Sequence, residues 1–108
     1  MHSDQSTAAL QNFISDFNLM DEYGVVSFTG TIHLLRDGHL KVFDNNVQII
    51  TSNHLDTVYI IFTENEEHLP EMFDPRSYNF SYAKREGLRI TPVDESRKMI
   101  VSIYPRPA

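Results

Sequence analysis

The strongest constraint on the fold is a period-two alternation that begins at Val26. Apolar or small residues alternate there with polar ones: Val26, Phe28, Gly30, Ile32 and Leu34 against Ser27, Thr29, Thr31 and His33. Such alternation is typical of a strand that buries one face. Further segments with strand character follow at close spacing, at residues 47–51, 57–63, 78–83, 87–91 and 98–104. The chain beyond residue 24 is therefore predicted to form an antiparallel meander.

The N-terminal part of the chain has the spacing of a helix instead. Leu10, Phe13, Ile14 and Phe17 recur at intervals of three and four residues, which places them on one face of a helix over residues 6–19. The opposite face is polar without lysine or arginine, so packing on the sheet is favoured over binding to a membrane surface. The predicted fold class is α+β, an N-terminal amphipathic helix packed on a mostly antiparallel meander sheet of about six to seven strands.

Length and composition predict a single domain, residues 1–108, in which residues 105–108 form a frayed tail. The chain has no cysteine, which is typical of proteins from a reducing compartment. The N-terminus lacks the pattern of a secretory signal, and the longest continuous apolar run, VYIIF, is much shorter than the roughly 20 residues of a membrane-spanning helix. These features predict a cytoplasmic protein without membrane contact.

The segment LLRDGHLKVF is predicted to form a hairpin, and two loop lengths compete for it. A two-residue Asp37-Gly38 turn places Leu34 opposite Lys41, which mixes apolar and charged residues on one face. A three-residue loop with Gly38 in the left-handed conformation places Leu34 opposite Leu40 instead. We therefore predict the three-residue loop, because it keeps apolar side chains together.

This register predicts which side chains are buried and where the next turn lies. It places Ile32 opposite Val42. Together with the helix face, it predicts a core that includes Phe13, Phe17, Phe28, Ile32, Leu40, Val42, Ile60, Phe62, Ile90 and Val101. The next turn is predicted at residues 44–46, DNN, because Asp and Asn side chains bond nearby backbone and tolerate positive φ.

The same register places His33, His39 and Lys41 together on the solvent face of the hairpin. Two imidazoles and an ammonium can transfer protons and stabilise an anionic transition state without a metal. This arrangement supports one alternative function, a metal-independent hydrolase or ribonuclease. Solvated faces of antiparallel sheets ordinarily carry such residues, so a solvated face is favoured. The sequence has no recognisable catalytic motif, and neither a metal nor a cofactor is predicted.

Charge is distributed unevenly along the chain. Residues 1–77 carry twelve acids and three bases, a net charge of −9, whereas residues 78–108 carry six bases and three acids, a net charge of +3. An acidic surface repels phosphate backbones and attracts basic proteins. The aromatic stripe of Tyr78, Phe80 and Tyr82 is accordingly predicted to be core packing and not a platform for RNA bases. The sequence disfavours nucleic acid and favours a basic protein as partner.

The connection TENEEHLPEMFDPRS, residues 63–77, is much longer than a hairpin requires. We predict that it is a docking surface for a basic protein, in which carboxylates steer association and Met72 or Phe73 anchors the complex. The predicted partner-binding residues are Glu64, Glu66, Glu67, Glu71, Met72, Phe73 and Asp74. The competing interpretation is a solvated loop whose Leu69, Met72 and Phe73 pack against the sheet.

Small size, acidity, absence of cysteine and absence of a catalytic motif together resemble the character of bacterial immunity proteins. The resemblance covers no motif and transfers no residue. It implies a non-enzymatic protein-binding module, an inhibitor or antitoxin that neutralises a basic partner. Besides the hydrolase or ribonuclease that uses His33, His39 and Lys41, a third interpretation is a structural or assembly subunit that forms a homodimer through an exposed sheet edge.

Overall fold

The computed structural model of the chain describes residues 2–50, 60–64 and 69–106. In this part of the chain one helix, α1 (His2–Asp16), precedes eight strands. The strands are β1 (Asp21–Glu22), β2 (Val25–Arg36), β3 (His39–Ile50), β4 (Ile60–Thr63), β5 (Met72–Phe73), β6 (Tyr78–Ala83), β7 (Gly87–Pro92) and β8 (Met99–Pro105). The predicted fold class, α+β with an N-terminal helix packed on an antiparallel sheet, is confirmed.

Two meanders make up the sheet, in the strand order β5-β4-β3-β2-β8-β7-β6. β2 pairs with β3 over its whole length, and its other side pairs with β8 from Gly30 to Arg36. The short strand β1 pairs with the first two residues of β2, on the side that β3 leaves open. The sheet curls into a half-barrel, and α1 packs on its inner face against β6 and β7. We call the face turned away from α1 the outer face.

Phe13 links the helix to the sheet. Its side chain is fully buried, and its ring centroid lies 5.4 Å from that of Phe17, 5.7 Å from that of Phe28 and 5.8 Å from that of Tyr82. Burial of a side chain of this size stabilises the fold by about 2–3 kcal/mol, because apolar surface leaves water. The apolar face predicted for the helix therefore forms the centre of the core.

Most of the predicted core residues lie inside, with two exceptions. Phe13, Ile32, Ile90 and Val101 are fully buried, and Phe17, Phe28, Ile60 and Phe62 are partly buried. Leu40 and Val42 are 63% and 52% exposed, so their predicted burial is wrong. Ile32 lies opposite Phe43 and not opposite Val42. Both errors follow from the loop length assumed for the hairpin.

The hairpin between β2 and β3 has a two-residue turn, so the predicted three-residue loop is wrong. Leu34 lies opposite Lys41. Asp37 and Gly38 have φ angles of 52° and 81°, the conformation of a type I′ turn, whose twist matches that of the flanking strands. The predicted positive φ of Gly38 is confirmed. Apolar matching failed here because the two-residue turn places Leu40 on the outer face, opposite the exposed Leu35, whereas the core lies on the inner face.

Residues 44–46 do not form the predicted turn, because β3 runs straight through them. The side chain of Asn45 is buried, accepts a hydrogen bond from the N–H of Glu64 at 2.9 Å and donates one to its carbonyl at 3.3 Å. Asp44 accepts a hydrogen bond from the hydroxyl of Thr31 at 3.0 Å. Asp and Asn side chains often bond their own backbone, but those of Asp44 and Asn45 bond neighbouring strands instead.

Element boundaries agree better with the sequence-based prediction than the registers do. β6 has the predicted bounds, and the bounds of β7 and β8 differ by one residue at most. The helix starts and ends earlier than predicted, and Asn18, with φ of 53°, follows it. Pro105 belongs to β8 and the N–H of Arg106 donates to the carbonyl of Thr29 at 2.9 Å, so these two residues are not frayed. Residues 51, 57–59 and 107–108 of the predicted strands and tail lie outside the described residues.

Candidate functional site

The observed register separates the residues of the predicted catalytic arrangement. His33 lies opposite Val42 on the outer face, and its ring centroid is 5.2 Å from that of Tyr104. His39 and Lys41 lie on the other face, because neighbouring strand residues point in opposite directions. The predicted shared face is therefore wrong, and the three side chains do not meet. Among the described residues, no group of three or more histidine, aspartate and glutamate side chains is arranged to hold a metal.

One of the two predicted anchors, Phe73, is fully buried. It pairs with Ile61 in the sheet, and its ring centroid lies 5.0 Å from that of Tyr78. Met72 lies opposite Phe62 on the outer face and is 42% exposed. The prediction of Phe73 as an anchor is corrected, because alternation in β5 leaves only one of two adjacent side chains at the surface. Met72 stays a candidate contact residue.

Of the predicted carboxylates Glu64, Glu66, Glu67, Glu71 and Asp74, those that the structure describes differ in their environments. Glu64 is exposed, and its carboxylate accepts a hydrogen bond from the Asn46 amide at 3.3 Å. Asp74 accepts a hydrogen bond from the N–H of Arg76 at 2.9 Å and so stabilises a turn. Glu71 is exposed, whereas Glu66 and Glu67 lie outside the described residues. Within the described chain, Glu64 and Glu71 are the predicted carboxylates that a partner can reach most readily.

A second turn, at the opposite end of β2, was not singled out in the sequence. β1 and β2 form a short hairpin in which Asp21 lies opposite Val26. The two turn residues, Tyr23 and Gly24, have φ angles of 57° and 82°. The carboxylate of Asp21 accepts a hydrogen bond from the N–H of Gly24 at 2.9 Å, which fixes the turn. The signal that was present in the sequence is the DEYG stretch, in which a glycine follows a bulky residue between two strand-like segments.

Tyr23 occupies a backbone conformation that its side chain disfavours. A residue with a bulky side chain at positive φ costs on the order of 1 kcal/mol relative to glycine or asparagine. The side chain of Tyr23 is fully exposed, so its own packing does not offset this cost. The nearby Met20 is 74% exposed. Strain of this kind persists at functional sites more often than elsewhere, so the turn is a candidate site.

The strand register places this turn and Met72 on one face and at one end of the sheet. Glu22 lies opposite Val25, and both point to the outer face. The adjacent row of outer-face residues crosses four strands: Ser27, Gln48, Phe62 and Met72. Neighbouring strands are about 4.8 Å apart, so this row spans roughly 14 Å. We define the Tyr23 surface as Met20, Glu22, Tyr23, Val25, Phe62, Glu64 and Met72.

The Tyr23 surface lies at an acidic end of the molecule. Asp21 and Glu22 flank the turn directly, and Arg106, whose N–H donates to the carbonyl of Thr29 at 2.9 Å, forms an ion pair with Asp44 at 2.8 Å. Asp16, at the end of α1, accepts a hydrogen bond from the Tyr82 hydroxyl at 2.9 Å. Burial of the phenol and then this bond to Asp16 raise the pKa of Tyr82 above its usual value. Asp21 and Glu22 therefore produce a negative potential around Tyr23.

Comparison with known proteins finds no family model that matches the chain, and no curated protein or solved structure that is significantly similar to it. Within the described residues, no helix has the length and apolar character needed to cross a membrane. The chemistry and geometry of the surface are therefore the basis on which a function can be proposed.

Proposed function

We propose that this chain is a small, non-enzymatic protein-binding module that neutralises a basic partner, in the manner of an inhibitor or antitoxin. The observation that carries the proposal is the display of Tyr23, fully exposed at the tip of a strained turn and flanked by carboxylates. A solvated turn gains nothing from a tyrosine at this position. At a binding turn, the contacts that the tyrosine makes with a partner offset the free-energy cost of the strained backbone.

Tyrosine suits the role of an anchor for a physical reason. It offers a large amphipathic surface but has few rotatable bonds, so its immobilisation in a complex costs little entropy. The hydrogen bond from Gly24 to Asp21 holds the turn rigid before binding, which lowers that cost further. Met20 and Met72 add flexible apolar contacts that can adapt to the shape of a partner. The Tyr23 surface thus combines one rigid anchor with two adaptable side chains.

The charge of the Tyr23 surface argues for a basic partner. Glu22 and Glu64 are exposed on the same face, and the loop that contains Glu66, Glu67 and Glu71 follows Glu64 in the chain. Exposed carboxylates of this kind accelerate the encounter with a basic protein and disfavour acidic competitors. Their contribution is expected mainly in the association rate, whereas the contribution of Tyr23 is expected in the dissociation rate.

The test is affinity capture from a lysate of the source organism with matched variants of the purified chain. The native chain is expected to retain one basic protein in stoichiometric amount. Tyr23→Asn, which suits the turn, is expected to lose it, because the anchor is removed without damage to the fold. Val93→Asn removes another exposed apolar side chain elsewhere and serves as the control, which is expected to retain the partner.

Measurements of the association and dissociation rates with the captured protein distinguish the anchoring role of Tyr23 from the steering role of the carboxylates. Tyr23→Asn is expected to speed dissociation, whereas replacement of Glu66 and Glu67 by lysine is expected to slow association in a salt-dependent manner. Equal binding by the native chain and the Tyr23 variant would contradict the proposed site. Capture of an acidic partner, or of nucleic acid alone, would contradict the proposed partner class.

A further inference from the structure

Among the residues that the structure describes, strand β3 has an open edge over more than half of its length. It contains 12 residues, and β4 pairs only with the last of them, from Val47 to Ile50. One further hydrogen bond, from the N–H of Glu64 to the carbonyl of Asn46, ends this pairing. Within the described chain, no strand lies beside residues 39–45 on the side away from β2. An open edge of this length is a template for another strand.

The hydrogen-bond pattern identifies the residues that face this edge. The carbonyl of Asn46 points toward β4, so every second residue before it directs its N–H and C=O to the same side. These residues are Leu40, Val42 and Asp44. The intervening residues direct their backbone groups to β2. Three residues therefore offer both a donor and an acceptor at the open edge.

Two of these three residues, Leu40 and Val42, carry exposed apolar side chains on the outer face, whereas Asp44 forms an ion pair with Arg106. Leu40 and Val42 are 63% and 52% exposed. Leu35, which lies opposite Leu40, is also exposed, and it lies opposite the partly buried Ile100 of β8 on its other side. An apolar stripe thus runs up to the open edge and ends there. An added strand with apolar outer-face residues would extend it.

We propose that a second copy of this chain pairs with this edge, so that two β3 strands run antiparallel about a twofold axis with Val42 opposite the partner's Val42. Each hydrogen-bonded pair of an antiparallel ladder exchanges two bonds. The pairs are Val42 with the partner's Val42, Leu40 with the partner's Asp44, and Asp44 with the partner's Leu40, which gives about six bonds. One sheet then continues through both copies.

The side chains at the edge favour a second copy over an unrelated strand. Twofold pairing at Val42 places the two Val42 side chains directly opposite each other, and Leu40 of each copy lies diagonal to the Val42 of the other, so that the exposed apolar side chains of the two edges cover one another. The interface then needs no apolar residue from any other protein. An isologous contact of this kind closes on itself, so it forms a dimer and not a fibre.

Lys41 selects the register. A move of the twofold axis from Val42 to Lys41 would place Lys41 directly opposite the partner's Lys41, where two ammonium groups repel each other. Pairing at Val42 places Lys41 opposite the partner's Phe43 instead. Lysine on an edge strand commonly prevents indiscriminate pairing. Here it excludes the register centred on Lys41, and a register centred on Phe43 would lose the contact between the two Val42 side chains.

The test measures the mass of the intact chain in solution at increasing concentration, by sedimentation equilibrium. We expect a dimer whose dissociation constant rises about tenfold or more in Val42→Lys, because two charges then meet at the axis. Gln48→Lys adds the same charge on the outer face of β3 away from the open edge and is expected to leave the dimer intact. A chain that stays monomeric at every concentration would overturn the proposal, as would equal dissociation constants for the two variants.

Cysteine cross-linking tests the register, because the native chain contains no cysteine. Hydrogen-bonded antiparallel pairs have Cα atoms about 5.5 Å apart, within the range of a disulfide. Val42→Cys is expected to form a cross-linked dimer under mild oxidation faster than Gln48→Cys. Faster cross-linking of Lys41→Cys than of Val42→Cys would overturn the proposed register. The dimer is expected to persist in Tyr23→Asn, because it does not depend on the Tyr23 surface.

Discussion

The two ends of β2 carry turns of the same backbone geometry but of different chemistry. At one end Tyr23 and Gly24 have φ angles of 57° and 82°, and at the other Asp37 and Gly38 have φ angles of 52° and 81°. Aspartate tolerates this conformation and tyrosine does not. The Asp37 turn therefore follows local backbone preference, whereas the Tyr23 turn opposes it. Under the proposed function, the same turn geometry serves folding at one end of β2 and binding at the other.

The surroundings of the two turns differ in charge as well. Asp21 and Glu22 flank Tyr23, whereas the other end carries Arg36 and Lys41 around its turn. β2 is 12 residues long, which separates the two ends by roughly 36 Å. Charges this far apart are screened from each other at physiological salt. The two proposed interfaces are therefore expected to act independently.

The largest expected effect is on the free energy of unfolding, and it distinguishes the buried Phe73 from the exposed Met72. Phe73→Ala is expected to destabilise the fold by about 3–5 kcal/mol, because it leaves a cavity beside Tyr78. Met72→Ala serves as the control and is expected to change stability by less than about 1 kcal/mol, because Met72 is at the surface. Chemical denaturation measures both. A stable Phe73 variant that loses partner binding would return the anchor role to Phe73.

Valine substitutions at the two glycines test whether the turns are equivalent. Gly38→Val is expected to cost about 1–2 kcal/mol, because a β-branched residue is disfavoured at positive φ. The cost is conformational alone, since a Cβ atom at Gly38 would contact no other atom within 4 Å. Gly24→Val is expected to cost a similar amount by thermal or chemical denaturation. A much smaller cost at Gly24 would mean that the Tyr23 turn is not held in the observed geometry.

Exchange of the first turn residues tests the strain directly. Tyr23→Asn is expected to stabilise the fold by about 0.5–1 kcal/mol, because asparagine tolerates positive φ. Asp37→Tyr is expected to destabilise it by a similar amount, for the same reason in reverse. Denaturation curves of the two variants give both values. If Tyr23→Asn destabilised the fold, tyrosine would be a structural residue and the comparison between the turns would fail.

The smallest effect is expected at a third turn, where an aspartate holds the backbone as Asp21 does at the Tyr23 turn. Asp94 accepts hydrogen bonds from the Ser96 hydroxyl at 2.7 Å and the Ser96 N–H at 3.0 Å, which lower the pKa of Asp94 below its ordinary value of 3.8. The folded state thus favours the ionised form. Its contribution to stability is present above pH 3.8 and is lost as the pH falls through the lowered pKa.

Asp94→Asn removes this contribution, so the difference in free energy of unfolding between the native chain and the variant measures it. The native chain is expected to be slightly more stable than the variant at neutral pH, and the difference is expected to shrink as the pH falls below 3.8. Denaturation at several pH values checks the trend. A difference that grew toward low pH would show that the turn favours the protonated carboxyl.

The sequence by itself determined the helix face, the antiparallel sheet and the position of most strands, because periodicity is a local property of the chain. It also determined the left-handed conformation of Gly38, since local turn chemistry decides it. The two loop lengths of the β2–β3 hairpin were both consistent with the sequence. The choice between them rested on the assumption that Leu40 is buried.

Only the tertiary structure decided what covers each residue. Leu40 and Val42 are exposed because the register of the hairpin places them on the outer face, and Asn45 is buried where the end of β4 bonds to it. Burial is a relation between parts that are remote in sequence, so period and composition show which side chains can be buried, and the packed chain decides which of them are.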